Sequence, residues 1–430
     1  LSSDCQWLEK LPRFSKINFN LYRTWLLLKQ VVPDYAEMNL YFITGSKGKG
    51  TTAAALAAIL TASGIDTGLI TSPHLISICE RIKVNNRDIP EQDLWACVRR
   101  VRQSLPPLPG KYGTWIFSEV LLAAGIFWLR QQGVNTLVLE SGLGGRLDPG
   151  NVFRRPRATC ITSVTAEHQG ILGHTLPEIA REKAGILKPY TPVVTAAGGE
   201  SLELIEERAH LFSAPVLAAG RDFAWRQKGA RAELQLPGRH ISFVPHGFET
   251  RASRVNKAMA ACLAGLYPGI SSEAIVRGLQ EPGLPGRFEV WGTSPAVVLD
   301  VAHTPESVAN LIEAVAARFA GKDVVYVAGF LADKKIDEML RQMLATGARV
   351  YCAPVRDARS FVPGPVPAGA EIFPGISAAV EAAAARTEVL CVTGSFAAVA
   401  EARLFLSKQS GFARMSWIAK GGDGGRNADH

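Results

Sequence analysis

Short continuous apolar runs recur along the chain. Most are followed by a longer stretch in which apolar residues return every three or four positions. The runs read as strands buried on both faces, and the longer stretches as helices packed on them. The first pair is Leu40-Tyr41-Phe42-Ile43 and Ala53-Ala54-Ala55-Leu56-Ala57-Ala58-Ile59-Leu60, a strand and a helix within 39–60. Further strands are predicted over 67–71, 136–139, 158–164 and from Val193 onward, with helices over 94–104, 118–132, 175–184, 202–211 and 255–266. Thr175 and Glu178 have capping-box spacing, and Gly133 and Gly185 close two of the helices. Residues 6–30 carry Leu21, Trp25 and Leu28 at helical intervals and are expected as helical material beside the loop that follows Ile43.

Strands alternating with helices predict parallel sheet with crossover connections. The pattern changes over 222–243, where Phe223-Ala224-Trp225, Ala232-Glu233-Leu234-Gln235-Leu236 and Ile241-Ser242-Phe243 alternate with polar residues and turns, predicting a small antiparallel patch. Glu281-Pro282-Gly283-Leu284-Pro285-Gly286-Arg287 reads as a hinge. Beyond it a second α/β set has strands over 296–299, 324–327, 350–353 and 389–392, and helices over 307–319, 336–345 and 377–385. The expected domains are 1–285 and 286–410, with a glycine-rich tail over 411–430 expected to be disordered.

The chemistry starts between the first strand and helix, at Gly45-Ser46-Lys47-Gly48-Lys49-Gly50-Thr51-Thr52. A glycine-rich turn that opens a helix directs several backbone N–H groups and the positive end of the helix dipole at one point. A lysine completes an anion cradle, and a following hydroxyl suits a magnesium ion. The spacing departs from G-x-x-x-x-G-K-[ST] because Gly50 stands between Lys49 and Thr51, and such turns also occur as plain connections. Ligands of open parallel sheets bind outside the carboxyl ends of the strands. Ser72, Glu140 and His168 fall there with the loop, and a hydroxyl, a carboxylate and an imidazole on one edge make a candidate magnesium site. Taken singly, Ser72 reads as a turn cap, Glu140 as a residue closing a strand, and His168 as a hydrogen-bonded loop histidine.

Composition narrows the classes. The chain has 430 residues, 47% of them hydrophobic and 20% charged, which suits a globular two-domain protein. Its formal net charge of +8 fits phosphate- and carboxylate-bearing small molecules, and no basic block interleaved with aromatics points to nucleic acid. Seven cysteines lie far apart with no C-x-x-C pair, so neither a disulfide framework nor a zinc site is indicated. With no membrane-length apolar run and no signal-peptide pattern, the expectation is a cytoplasmic monomer with no nucleic-acid or membrane partner.

In combination the motifs resemble the folylpolyglutamate synthase/dihydrofolate synthase family of the Mur ligase superfamily. The resemblance runs from about Tyr41 to about Leu406. Gly45 to Thr52 is similar to that family's G-T-N-G-K-G-S/T loop. Thr71-Ser72-Pro73-His74-Leu75 with Glu80-Arg81-Ile82 is similar to T-S-P-H-L…E-R-I, and Glu140 to Asp148 with Asn151 to E-x-G-L-G-G-R-L-D…N. His168, Leu172-Gly173 and 179–186 are similar to D-H-x-x-x-L-G…I-A-x-E-K-A-G-I. Pro285-Gly286-Arg287, Asp300-Val301-Ala302-His303 and Val392-Thr393-Gly394-Ser395 are similar to P-G-R, D-G/V-A-H-N-P and V-T-G-S.

The resemblance implies a P-loop-type, mostly parallel ATP-binding domain followed by a smaller Rossmann-like ligase domain. It implies ATP-dependent addition of L-glutamate to a folate-type carboxylate through an acyl phosphate, as in folate biosynthesis. It implies phosphate and nucleotide contacts from Gly45, Ser46, Lys47, Gly48, Lys49, Gly50, Thr51, Thr52, Asn256, Arg287, Asp300 and His303. Thr51, Ser72, Glu140 and His168 would hold Mg2+, Lys49, His168 and Lys183 would act in catalysis, and Arg81, Arg146, Asp148 and Asn151 would face substrate. Lys183 matches a lysine carbamylated in many relatives, although by position alone it reads as a cation complementing a helix C-terminus. The implied cofactors are ATP and Mg2+, with a carbamylated Lys183 and K+ as further candidates.

Departures are also present. Ser46-Lys47 replaces T-N, Glu167 replaces aspartate, Thr304 replaces asparagine, Pro149-Gly150 replaces A-T and Leu122 replaces threonine. The G-x-H-Q ahead of the asparagine helix is missing, with His246-Gly247-Phe248-Glu249 and 251–254 in its place. These keep open a ligase for another acid acceptor, or a non-catalytic nucleotide-binding paralogue.

Overall fold

The computed structural model describes residues 3–13, 20–281, 283–362, 364 and 366–409. The tail over 411–430 and Pro282 of the expected hinge lie outside the described residues. The chain forms two compact units. One takes the described residues up to Pro245 together with Glu249–Leu284, and the other takes His246–Phe248 and the described residues from Pro285 onward.

In chain order the first unit contains α1 (Ser3–Lys10), α2 (Tyr22–Val31), β1 (Asn39–Thr44), α3 (Lys49–Ala62), β2 (Thr67–Ile70), β3 (Ile82–Val84), β4 (Arg87–Asp88), α4 (Glu91–Gln103) and α5 (Phe117–Gln131). It continues with β5 (Thr136–Glu140), β6 (Ala158–Ile161), α6 (Gln169–Leu172), α7 (Leu176–Ala184), β7 (Val193–Thr195), α8 (Glu200–Leu211) and β8 (Val216–Ala218). It closes with β9 (Ala224–Lys228), β10 (Arg231–Leu236), β11 (Arg239–Phe243), α9 (Arg251–Gly265) and α10 (Ser272–Gln280). Eight strands form one sheet in the order β4-β3-β2-β5-β1-β6-β7-β8, parallel except at the β2-β3-β4 edge. The antiparallel sheet β11-β10-β9 is the patch expected over 222–243.

The central strands are buried on both faces because successive side chains point to opposite sides. Leu40 and Phe42 of β1 enter one core with α1, α2, α4 and α5, whereas Tyr41 and Ile43 enter the other with α3, α9 and β10. The N-terminal helices were expected beside the loop after β1. They instead cover the face opposite α3, where Leu8, Leu27 and Leu28 join the apolar core. That seam carries a buried ion pair: Arg23 Nε donates to Glu119 Oε1 at 2.8 Å, and Ile116 N donates to Glu119 Oε2 at 3.1 Å. Strand β6 ends three residues before the expected 164, for a reason that lies in the loop described below.

The second unit contains β12 (Glu289–Trp291), β13 (Ala296–Leu299), α11 (Pro305–Arg318), β14 (Val324–Ala328), α12 (Ile336–Leu344), β15 (Arg349–Cys352), β16 (Ala370–Ile372), α13 (Ile376–Ala384), β17 (Val389–Thr393) and α14 (Phe396–Leu406). Its sheet runs β12-β13-β17-β14-β15-β16, parallel except for the β12 edge. Thr304, where the family motif has asparagine, is the N-cap of α11 and accepts from Ser307 N, so the substitution preserves a capping function. Among the described residues no helix is long and apolar enough to cross a membrane.

Candidate active site

The loop after β1 is built from both sides. Gly48, at the N-cap of α3, has φ +85°, a left-handed conformation that favours glycine, and a Cβ there would collide with the side chain of Asn256 on α9. A Cβ on Gly50 would stand 2.9 Å from Leu284 Cδ1 and 3.2 Å from Glu140 Oε2, so the first turn of α3 lies directly against the Glu140 carboxylate. Lys49 Nζ curls back to donate to the carbonyls of Gly45 at 2.8 Å and Ser46 at 3.2 Å. Residues after β6 leave the sheet to brace this loop. Ser46 N donates to Ser163 O at 2.8 Å, Thr165 N to Ser46 Oγ at 2.9 Å, Thr162 Oγ1 to Lys47 O at 2.6 Å and Lys47 N to Ser163 Oγ at 3.0 Å. Ser46 is thereby a bracing residue, a role its motif position did not disclose. Thr51 is half-buried, whereas Thr52 is fully buried.

Strands β2, β5 and β1 are neighbours, and their carboxyl ends bring Ser72 and Glu140 together. Ser72 N donates to Glu140 Oε2 at 3.0 Å, and Glu140 is 8% exposed. Beyond Ser72 the chain turns around Glu80, whose carboxylate accepts from the N–H groups of Leu75 at 2.7 Å and of Ile76 and Ser77 at 2.9 Å. Arg81 Nε donates to His74 Nδ1 at 2.9 Å. Burial lowers the Arg81 guanidinium to about 10, with Arg13 adding to the effect and Glu140 opposing it.

The other three residues expected at substrate are, like Arg81, engaged within the protein. Asp148 accepts from Gly142 N at 2.8 Å, Leu143 N at 3.3 Å and Gly150 N at 2.9 Å, and burial raises its carboxyl to about 6 against those bonds. Asn151 Nδ2 donates to Arg146 O at 2.8 Å and Gly185 O at 3.2 Å, and Arg146 Nε donates to Glu182 Oε2 at 2.8 Å. Thr44 Oγ1, at the end of β1, donates to Gly144 O. These contacts fasten the glycine-rich 141–150 loop between the tip of β1 and the end of α7.

Lys183, in the last turn of α7, is not the solvated helix-end cation its position suggests. It is 1% exposed, and its Nζ donates to Glu167 Oε1 at 3.2 Å. Burial lowers its pKa to about 8; Lys49 and Lys47 add to that shift, and Glu167 opposes it. Burial alone would raise the Glu167 carboxyl, but Lys183, Lys49 and Lys47 together hold it below its usual value. Glu167 is the residue that motif reading missed; only its departure from aspartate singled it out. His168 next to it is exposed, has φ +49° and caps α6, on the turn beyond β6 rather than at the strand tip itself.

In the second unit, Asp300 accepts from Phe288 N at 2.8 Å and Ala302 N at 2.9 Å. Burial raises its carboxyl, and Arg287 opposes the shift. His303 Nδ1 lies 2.8 Å from Val301 O. The Phe396 ring, unremarked in the sequence, lies 5.1 Å from the Arg287 guanidinium and 6.2 Å from the His303 ring centre.

A magnesium ion needs only one or two protein oxygens beside phosphate and water. The first unit supplies hard oxygen donors at Glu140 and Ser72. Two buried hydroxyls nearby in sequence, Thr52 Oγ1 and Ser141 Oγ, have no hydrogen-bond partner. That donor set fits Mg2+. Among the described residues no group of three or more His, Cys, Asp or Glu forms an all-protein metal cage.

The family model "Mur ligase, glutamate ligase domain" matches residues 286–396. A probable bifunctional folylpolyglutamate synthase/dihydropteroate synthase from Halobacterium salinarum is 34% identical over 86% of this chain; the chain spans only 47% of that relative's length. Folylpolyglutamate synthase from Lacticaseibacillus casei is 31% identical, with 81% of this chain and 84% of the relative aligned. The structure of a bifunctional folylpolyglutamate synthase/dihydrofolate synthase from Yersinia pestis, complexed with AMPPNP and Mn ion, superposes with a TM-score of 0.84. It is 28% identical, with 94% of this chain and 98% of that one covered. The chain belongs to the folylpolyglutamate synthase/dihydrofolate synthase family of the Mur ligase superfamily.

Proposed function

We propose that this chain is an ATP-dependent ligase that joins L-glutamate to a folate-type carboxylate, either dihydropteroate or a folyl glutamate. The acid's carboxylate oxygen attacks the γ-phosphorus of ATP, and ADP leaves. The α-amine of glutamate then attacks the acyl carbon, phosphate departs with the former carboxylate oxygen, and the amine gives up a proton. Such chemistry asks the protein mainly for positioning and for stabilisation of moving negative charge.

The observation that carries the reading is the meeting of three strand ends in the first unit. The loop of β1 opens α3 against Glu140 of β5, and Glu140 is held by the backbone of Ser72 after β2. In this reading the N–H groups of residues 48–51 and the Lys49 ammonium bind the phosphates. Glu140, Ser72, Thr51 and His168 hold Mg2+, which when bound neutralises phosphate charge. Arg81, half-buried and close enough to feel the Glu140 charge, faces the acceptor carboxylate. Arg146, Asp148 and Asn151 act on substrate through the loop they hold. Asn256, Arg287, Asp300 and His303 are proposed nucleotide contacts, each scored by ATP affinity. The Mn- and AMPPNP-bound relative supports ATP and a divalent metal as cofactors.

Lys183 is proposed to act either as the ammonium seen paired with Glu167 or, after losing a proton, adding carbon dioxide at Nζ and releasing a second proton, as a carbamate. A carbamate would have to part from Glu167, because the two anions repel. The test of the function is ADP release that requires ATP, glutamate and a pteroate together. Release with glutamate and a different acid would point to another acceptor.

A further inference from the structure

We propose that Glu167 is a positioning residue that holds Lys47 at the glycine-rich loop, and that Lys47, so held, is a second phosphate-binding ammonium beside Lys49. The inference deepens the ATP-dependent reading above and rests on it for the identity of the anion.

The backbone of Lys47 is pinned on both sides, its N–H by Ser163 Oγ at 3.0 Å and its carbonyl by Thr162 Oγ1 at 2.6 Å. Its side chain is 35% exposed, with Nζ 3.7 Å from Glu167 Oε2. The other oxygen of the same carboxylate takes the hydrogen bond from Lys183 Nζ at 3.2 Å. One carboxylate therefore spans a buried ammonium and a half-exposed one. The two contacts differ in kind. Lys183 is enclosed and hydrogen-bonded, whereas 3.7 Å is an ion pair too long for a hydrogen bond, and one that can exchange partners.

The placement points to an anion. Lys47 and Lys49 stand on the one glycine-rich loop that opens α3, and the carboxylate that Lys47 reaches, Glu167, is already engaged on its other oxygen by the buried Lys183. Clustered like charges are costly unless a multiply charged partner arrives, and the polyphosphate of a nucleotide is such a partner. Glu167 keeps the Lys47 side chain at the loop instead of in solvent, which lowers the ordering cost of binding. Lys47 and Glu167 are both departures from the family's motifs, and these two departures meet in space.

The test is calorimetric binding of Mg-ATP, Mg-ADP and AMP to the full chain as wild type, Lys47→Gln, Glu167→Gln and the double variant. One charge-assisted phosphate contact is worth about tenfold in affinity. Lys47→Gln is expected to weaken Mg-ATP about tenfold and AMP little, with Lys47→Arg recovering most of the loss. Glu167→Gln is expected to weaken Mg-ATP to a similar degree, and the double variant no more than about twofold beyond the worse single. Should Glu167→Gln not fold, Glu167→Asp, which keeps the charge but shortens the reach, takes its place in the cycle. Wild-type Mg-ATP affinity in Lys47→Gln, equal losses for AMP and ATP, or single losses that multiply in the double variant would each overturn the proposal. These binding measurements need no acceptor acid. A chain that binds ATP but ligates nothing would sink the ligase reading and still score the Lys47–Glu167 pair.

Discussion

Ser72 and Glu140 stand 68 residues apart in sequence and meet at the carboxyl ends of two adjacent strands, the backbone N–H of Ser72 donating to Glu140 Oε2 at 3.0 Å. The contact fixes a carboxylate against the first turn of α3. It leaves that carboxylate nearly buried, an expensive position for a charge unless a cation shares it.

Glu140→Gln keeps an acceptor for Ser72 N but removes the charge. The fold should survive, with an unchanged thermal midpoint, while kcat for ADP release falls at least about a hundredfold, as for the loss of one preorganised electrostatic contact. Titration with Mn2+ in the presence of nucleotide should show a weakened metal site.

Lys49→Ala removes an ammonium that is held over the loop by two carbonyls. Ligation should be abolished while circular dichroism remains that of the wild type. Near-normal turnover would remove Lys49 from the phosphate site.

Arg23→Met should destabilise the first unit by about 3–5 kcal/mol, because it strands Glu119 as a buried carboxylate. The double variant Arg23→Met/Glu119→Leu should recover much of that loss in chemical denaturation. If the single variant costs less than about 1 kcal/mol, the pair is not the brace between α2 and α5 that its burial suggests.

Lys183 carries a pH dependence whose sign is fixed by its lowered pKa of about 8. Between that value and the usual 10.5 the folded chain binds fewer protons here than the unfolded chain, so this site's contribution to stability rises as pH rises across that interval. Lys183→Met should flatten that rise in denaturant titrations. The neutral amine also becomes available to carbon dioxide above about pH 8, so a 13C-carbamate resonance from labelled bicarbonate should grow from pH 7 to 9 and be missing in Lys183→Met.

Much of this was legible in the residues, for identifiable reasons. The β1 strand, its loop and α3 were readable because both faces of β1 are apolar and the glycines at 48 and 50 occupy places where a Cβ would collide or crowd. The capping box of Thr175 and Glu178 was readable because it is local. The antiparallel edges β3-β4 and β12 escaped because such short strands carry little periodicity, and α14 escaped because its alanines show little amphipathic contrast.

Ser72 and Glu140 lie together at the ends of adjacent strands, as strand-tip reasoning expects. The partners of Asp148 were not foreseeable, because they are backbone N–H groups whose directions depend on how a glycine-rich loop folds. Nor was Glu167 foreseeable, since its lysines come from positions 47 and 183. The burial of Lys183 is likewise a property of where α7 packs, which no local pattern encodes.

The central claim is tested most directly by incubating the full chain with Mg-ATP, L-glutamate and dihydropteroate or a folyl glutamate, and following ADP release together with the mass of the product. The account predicts release only when all three substrates are present, and a product heavier than the acid by one glutamyl residue. ADP release that ignores glutamate, or no ligated product with any pteroate or folate acceptor despite ATP binding, would contradict it.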